Sequence, residues 1–279
     1  MPALERCVAD QAAGLRRLLV TRETRLLVLS GADADQVAAL ALQLAVASER
    51  DGLRTLLIDL TRGALARQLG CTLRYELMHV IDSHRSLEQV LVAGPLDIPL
   101  LPAARGVPAL AAAWRGRARF AEYVERAGSA PQLAVAVTPP EQFDALARVA
   151  DHDTLLVLSS TGAADLKACY SALKRAHAAH AAPPRLLCAD GLDPGAALEA
   201  HVRLRATARS FLGREPEMIG RLCARPELGA RGGLPALTIE ALARVIRRWP
   251  LPGSPAAAGI SSVAGIPSSA MRHPIRAAL

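Results

Sequence analysis

Apolar runs of strand length recur along this chain with helical stretches between them, and that alternation limits the possible folds more than any other feature. LLVLS (26–30), TLLIDL (55–60), IPLLPA (98–103), LAVAV (133–137), TLLVLSS (154–160) and RLLCAD (185–190) are apolar almost throughout. A strand with one wet face alternates apolar and polar residues; a strand covered on both faces need not. These six runs therefore read as buried strands. The stretches QVAALALQLAVASER, SLEQVLVAG, DLKACYSALKRAHAAH and ALEAHVRLRATARSFLG repeat apolar residues at helical spacing. Strand and helix in alternation predict an α/β fold with one mostly parallel, doubly wound sheet. MIGRL (218–222) predicts a last strand and TIEALARVIRRW (238–249) a closing helix. From Pro250 onward Pro, Gly, Ser and Ala dominate, too little apolar area to offset ordering entropy, so a disordered tail is expected. The chain thus divides into a leading helix and linker (1–24), an α/β body (25–249) and the tail (250–279).

Composition narrows the function classes. At 279 residues and 51% hydrophobic content there is enough chain for one large α/β domain or two small ones. The formal charge is +7, and lysine occurs only at Lys167 and Lys174, the other basic residues being arginine. No long basic run gathers that charge and aromatics make up only 3%, which weakens a nucleic-acid-binding module. Cys7, Cys71, Cys169, Cys188 and Cys223 are odd in number and widely spaced, as expected of reduced, mostly buried thiols in the cytoplasm. Glu5 and Asp10 near the N-terminus argue against a signal peptide, and no segment reaches membrane-span length. His79, His84, His152, His177, His180 and His201 show no metal-like clustering and are expected on the solvated surface. No metal site is expected.

In parallel α/β folds the loop after the first strand usually meets the ligand, since a helix N-terminus there offers free N–H groups to an anion. Here that loop is SGADADQVA, Ser30 to Ala38. A phosphate cradle needs glycines for close backbone approach and a lysine for the β- and γ-oxygens. This loop has one glycine, Gly31, no lysine, and two carboxylates, Asp33 and Asp35. Like charges about 4 Å apart cost roughly 4 kcal/mol at an effective dielectric of 20, and a triphosphate would meet that repulsion. The simpler role for Asp33 or Asp35 is to cap the following helix. Asp59, at the end of the second strand, can hold Mg²⁺ in a nucleotide site or, alone, cap a helix.

In order and spacing, RLLVLSGADADQVAALALQLAVASERDGLRTLLIDL resembles the opening of the MinD/ParA-type ATPases: strand, SG loop, long helix, DG turn, strand ending in Asp. Within them it is similar to the MinD-like regulators of flagellar number and placement, the FlhG/FleN group. RSLEQVLVAGPLDIPLLPA, TLLVLSSTGAADLKACYSALK (with Tyr170 and Lys174) and RLRATARSFLG followed by MIG carry the likeness further, across roughly residues 10 to 249. That group has an N-terminal DQAxxLR motif, complete here as Asp10, Gln11, Ala12, Leu15 and Arg16. The resemblance implies that this segment docks on the SRP-type flagellar GTPase, FlhF, and stimulates its GTP hydrolysis, with the glutamine reaching toward the nucleotide. It also implies a P-loop NTPase fold that binds ATP and Mg²⁺. The chain departs from the family's deviant Walker A loop. Gly31 keeps the first glycine, but Ala32 and Val37 stand at the two lysine positions and Ala38 at the magnesium-binding threonine. Val137 replaces the Asp of the Walker B side, while Asp59 persists. ATPase activity and ATP-dependent dimerisation are therefore not expected.

The leading stretch has its own logic. Asp10 suits an N-cap, and Val8, Ala12, Leu15, Leu18 and Leu19 fall on one helical face. Gln11, four residues before Leu15, shares that face, an unusual place for an amide unless a partner receives it. With Gly14 inside and barely three turns, the helix should order only on contact. Two other functions remain open at this point: a weak MinD-like ATPase acting as a dimeric switch, and a basic nucleic-acid-binding module. The expected location is the cytoplasm, with peripheral contact at the inner membrane or cell pole left open.

Overall fold

The computed structural model describes residues 24–127, 130–179, 183–224 and 234–250. The N-terminal motif, including Asp10, Gln11, Leu15 and Arg16, and the predicted tail lie outside these. Strands β1 (Arg25–Gly31), β2 (Thr55–Asp59), β3 (Val92–Ala93), β4 (Pro99–Pro102), β5 (Leu133–Val137), β6 (Asp153–Leu158), β7 (Arg185–Cys188), β8 (Glu217–Leu222) and β9 (Ala236–Leu237) form one sheet in the order β3-β4-β2-β5-β1-β6-β7-β8-β9. Every pairing is parallel except β3 with β4. All seven predicted strands are present.

The helices divide between the faces. Helix α1 (Ala34–Arg50) and the closing α10 (Ile239–Arg247) cover one face, where Leu27, Leu29, Leu57, Val135, Leu155 and Val157 point. The opposite face carries α3 (Leu77–Ile81), α4 (Leu87–Val90), α5 (Gly106–Ala112), α6 (Gly116–Ala127), α7 (Phe143–Val149), α8 (Ala163–Ala178) and α9 (Pro194–Leu212). A short α2 (Ala64–Gln68) follows β2. Because both faces are covered, β1, β2, β5 and β6 are buried almost residue by residue, which is why their sequences do not alternate.

One predicted element is shorter than its pattern. SLEQVLVAG is helical only over Leu87–Val90; Leu91 turns extended (φ −65°, ψ 139°), and the chain enters β3. Gly94 then donates to the Ile98 carbonyl at 2.8 Å, closing a turn that Pro95 begins. Edge pairing with β4 wins over a helical period that Gly94 and Pro95 would end anyway. At the start of β1, Arg25 donates to the carbonyls of Ile246 and Trp249 and so finishes α10. Arg185 bonds Asp153 Oδ1 at 3.1 Å and lies 3.9 Å over the Trp249 ring, so α10 is anchored to the strand starts.

The histidine expectation needs correction. His152 and His201 are buried, at 2% and 8% exposure, His152 in the connection just before β6 and His201 on the inward face of α9. His152 Nδ1 donates to the Ala150 carbonyl at 3.2 Å and its Nε2 has no partner among the described residues. Burial holds both imidazoles below their ordinary pKa, aided at His201 by Arg205. Cys169, Cys188 and Cys223 are buried free thiols and Cys71 is half-buried; burial pushes Cys169 up to about 12 and Cys188 to about 11. Among the described residues no helix is long and apolar enough to cross a membrane, and no three His, Cys, Asp or Glu side chains group to hold a metal.

A histidine whose folded pKa lies below its unfolded value near 6.5 leaves the unfolded state binding more protons at acid pH. Its stabilising effect is full above about pH 6.5 and is lost as pH falls toward the folded pKa. The melting temperature should therefore drop between pH 7.5 and 5.5, and His152→Gln, which can still donate to the Ala150 carbonyl, should flatten that slope. Equal slopes in thermal melts of the two proteins would rule this origin out.

Candidate functional site at the carboxyl edge of the sheet

Strand β1 ends at Gly31 and α1 begins at Ala34, so Ala32 and Asp33 form the whole connection. Asp33 is extended (φ −99°, ψ 102°), and its Oδ1 accepts the backbone N–H groups of Asp35 and Gln36, both at 3.0 Å. Its carbonyl accepts the Val37 N–H at 3.0 Å. One residue therefore satisfies the N–H groups of Asp35, Gln36 and Val37. Asp35 faces α2 instead, where Arg67 donates to its Oδ1 through Nη2 at 2.8 Å and Nε at 3.1 Å. Gln68 Nε2 donates to the Asp35 carbonyl at 3.2 Å. Both members of the Arg67–Asp35 pair are exposed, so it contributes well under about 1 kcal/mol.

Gly31 admits no side chain. A Cβ there would lie 2.7 Å from the Val157 carbonyl oxygen and 2.9 Å from Val37 Cγ2. Val37 is folded over the end of β1, and Ser30, Val37 and Ala38 are all buried. Val37 and Ala38 pack in the same cluster as Leu27, Leu29 and Val157 and so belong to the core of the α1 face.

Asp59, fully buried at the end of β2, is also committed. Its Oδ1 accepts from Thr61 N at 2.7 Å and Thr61 Oγ1 at 2.6 Å, and its Oδ2 accepts from Leu65 N at 3.0 Å. Thr61 Oγ1 in turn accepts from Ala64 N at 3.0 Å. The first turn of α2 needs these acceptors because its N-cap, Gly63 (φ 112°), has no side chain. Val137 lies beside Asp59 in register, at the end of β5 between β2 and β1. Gln142 Nε2 spans the edge, donating to the Leu60 and Ala104 carbonyls at 3.1 Å each.

The fold brings Ser30, Gly31, Ala32, Asp33, Val37, Ala38 and Asp59 to one edge of the sheet. It also recruits Thr61, Arg67 and Gln142, which the sequence reading overlooked. Thr61, two residues after Asp59, has the spacing of an Asx-type turn and was in principle visible. Arg67 and Gln142 act on groups 32 and 82 residues away and carry no local signal. A magnesium triphosphate calls for free N–H groups, a cation and an uncommitted carboxylate or hydroxyl. Here the N–H groups of Asp35, Gln36 and Val37 are taken by Asp33, Asp59 has both oxygens engaged, and Lys167 and Lys174 are exposed on α8. These residues do not fit that ligand.

No family model and no curated protein matches this sequence. Among solved structures, the MinD cell division protein of Aquifex aeolicus superposes with a TM-score of 0.57 at 16% identity, over 82% of this chain and 99% of that one. A chain of the MinC:MinD cell division protein complex of Aquifex aeolicus gives 0.55 at 16% identity, over 82% and 98%. A plasmid partition protein of Borrelia burgdorferi B31 bound to AMPPNP gives 0.50 at 11% identity, over 80% and 97%. The fold is that of the MinD/ParA-type P-loop NTPases. In a MinD-type fold the carboxyl edge of the sheet is the place for a ligand, and in this chain that edge is bonded to itself.

Asp33→Ala removes the acceptor for two N–H groups and should cost about 1 kcal/mol, a fall in melting temperature of about 2–4 °C. Asp33→Ser or Asp33→Asn, which keep an acceptor, should recover most of it. Calorimetric melts of the three variants check this, and an Asp33→Ala protein as stable as the parent would show that the cap contributes nothing.

Proposed function

We propose that this chain is a MinD-like regulator of flagellar number and placement. Its leading segment docks on the SRP-type flagellar GTPase and stimulates GTP hydrolysis, while its body turns over no ATP of its own. What supports this most directly is the complete set Asp10, Gln11, Ala12, Leu15 and Arg16 placed ahead of a body with the MinD fold. Leu15, Leu18 and Leu19 supply an apolar face for a partner, and Gln11 on that face can orient a water or meet a phosphate. Arg16 can pair with acidic groups around a nucleotide site. Trans-acting groups of this kind change GTPase rates by about 10³–10⁵ when they complete the transition state. The loop Ser30 to Ala38 is then a degenerate Walker A loop, kept as a structural turn. MinD, of the same fold, is known in complex with MinC, so a body of this shape can serve as a platform for a protein partner.

A second reading, an ATP-dependent dimeric switch with residual ATPase activity, draws on the plasmid partition neighbour bound to AMPPNP and on Asp59 at the end of β2. The two readings part on one measurement. Added in excess to the cognate flagellar GTPase, the full chain should raise GTP turnover at least ten-fold, and Gln11→Ala should lose most of that gain. Unchanged turnover, or a Gln11→Ala protein equal to the parent, would remove the proposed function.

A further inference from the structure

We infer that Asp33 is a built-in counter-anion that holds the N-terminus of α1 permanently closed, so that this protein engages its partner constitutively instead of under the control of ATP. The inference rests on the function proposed above and adds how that function is regulated.

A helix of 17 residues directs a partial positive charge and its unpaired N–H groups at whatever lies before its first turn. In this chain the anion at that place is covalently part of the loop. The carboxylate reaches Asp35 N and Gln36 N from two and three residues away, a local reach that costs almost no entropy because Asp33 is fixed by the strand before it and the helix after it. An external phosphate would have to displace a group already held there at very high effective concentration. It would also approach Asp33 and Asp35 together, where among the described residues only Arg67, bound to Asp35, is a cation paired to either.

Three neighbours prevent the loop from opening to make room. Gly31 is pinned between the Val157 carbonyl and the Val37 side chain, so the strand end cannot lift without exposing Val37. Val37 and Ala38 belong to the packed α1 face, so the first turn of the helix cannot slide toward solvent without leaving a cavity beside Leu27 and Leu29. Asp59 would have to release Thr61 and Leu65 before it could take a cation. Adjusting one of these leaves the other two in place.

A ligand shifts a conformational equilibrium only by its difference in affinity for the two states. With no seat for a triphosphate in the closed loop, ATP has no handle on the body, and the leading segment is equally available with and without it.

Three measurements on the whole chain test this. In calorimetry with the non-hydrolysable analogue AMPPNP and Mg²⁺, no binding heat and no rise in melting temperature is expected at 1 mM. A site with a dissociation constant near 10 μM would raise the melting temperature by roughly 5–10 °C under those conditions. Saturable binding would overturn the inference whatever the partner GTPase does. Stimulation of GTP turnover should be the same, within two-fold, with and without MgATP, and stimulation that needs MgATP would also overturn it. Absence of stimulation in both conditions would instead sink the proposed function, leaving the calorimetry to decide the closed loop. Asp33→Ala supplies the positive arm. Freed of its own carboxylate, the variant should gain melting temperature with inorganic phosphate, at matched ionic strength, by more than the parent does. Equal gains would show that Asp33 is not the closing group.

Discussion

The burial of β1 on both faces and along both edges governs this molecule. Its backbone is paired to β5 on one side and β6 on the other, and its side chains from Leu26 to Leu29 alternate between two separate cores. A strand so placed cannot shift by one residue, since that would exchange the contents of the two cores. Everything after its last residue is therefore set in space before any loop residue is chosen. Gly31, pressed against the Val157 carbonyl and Val37, follows from that fixed end. So does the two-residue connection to α1, and with it the position from which Asp33 caps the helix.

The carboxyl edge is stabilised by local closure repeated at neighbouring strands. At β1 the acceptor is Asp33, at β2 it is Asp59 through Thr61 and Leu65, and across β2 and β4 it is Gln142 that donates. Helix starts in a fold of this kind need an acceptor for their first N–H groups, and the acceptor can be a bound anion or a side chain. This chain supplies side chains at both of the helices that follow β1 and β2. The starts of α1 and α2 are thus capped from within the chain.

The sheet was readable because fully buried strands announce themselves as unbroken apolar runs, and each of the seven predicted strands sits where its run sits. The loop was readable for a different reason: the chemistry of Asp33, Val37 and Ala38 is decided by what those side chains cannot do, which needs no coordinates. What the sequence misjudged were residues whose role depends on distant neighbours. His152 and His201 look polar and so suggested surface, yet the connection entering β6 buries the first and the inward face of α9 the second. SLEQVLVAG has a helical period, but the edge of β4 is available to its second half, and backbone pairing there replaced about one turn of helix.

The linear order of residues thus settled the α/β class, the strands and the absence of a lysine from the first loop, because each follows from local periodicity or from residue chemistry alone. Folding in three dimensions decided the rest. It chose which of the two carboxylates at α1 caps the helix and which pairs with Arg67, and it committed Asp59 to the first turn of α2. It brought Gln142 across 82 positions to tie two strand ends together. Those outcomes depend on which backbone N–H and carbonyl groups are left over once the sheet has formed, and that remainder exists only in the assembled structure.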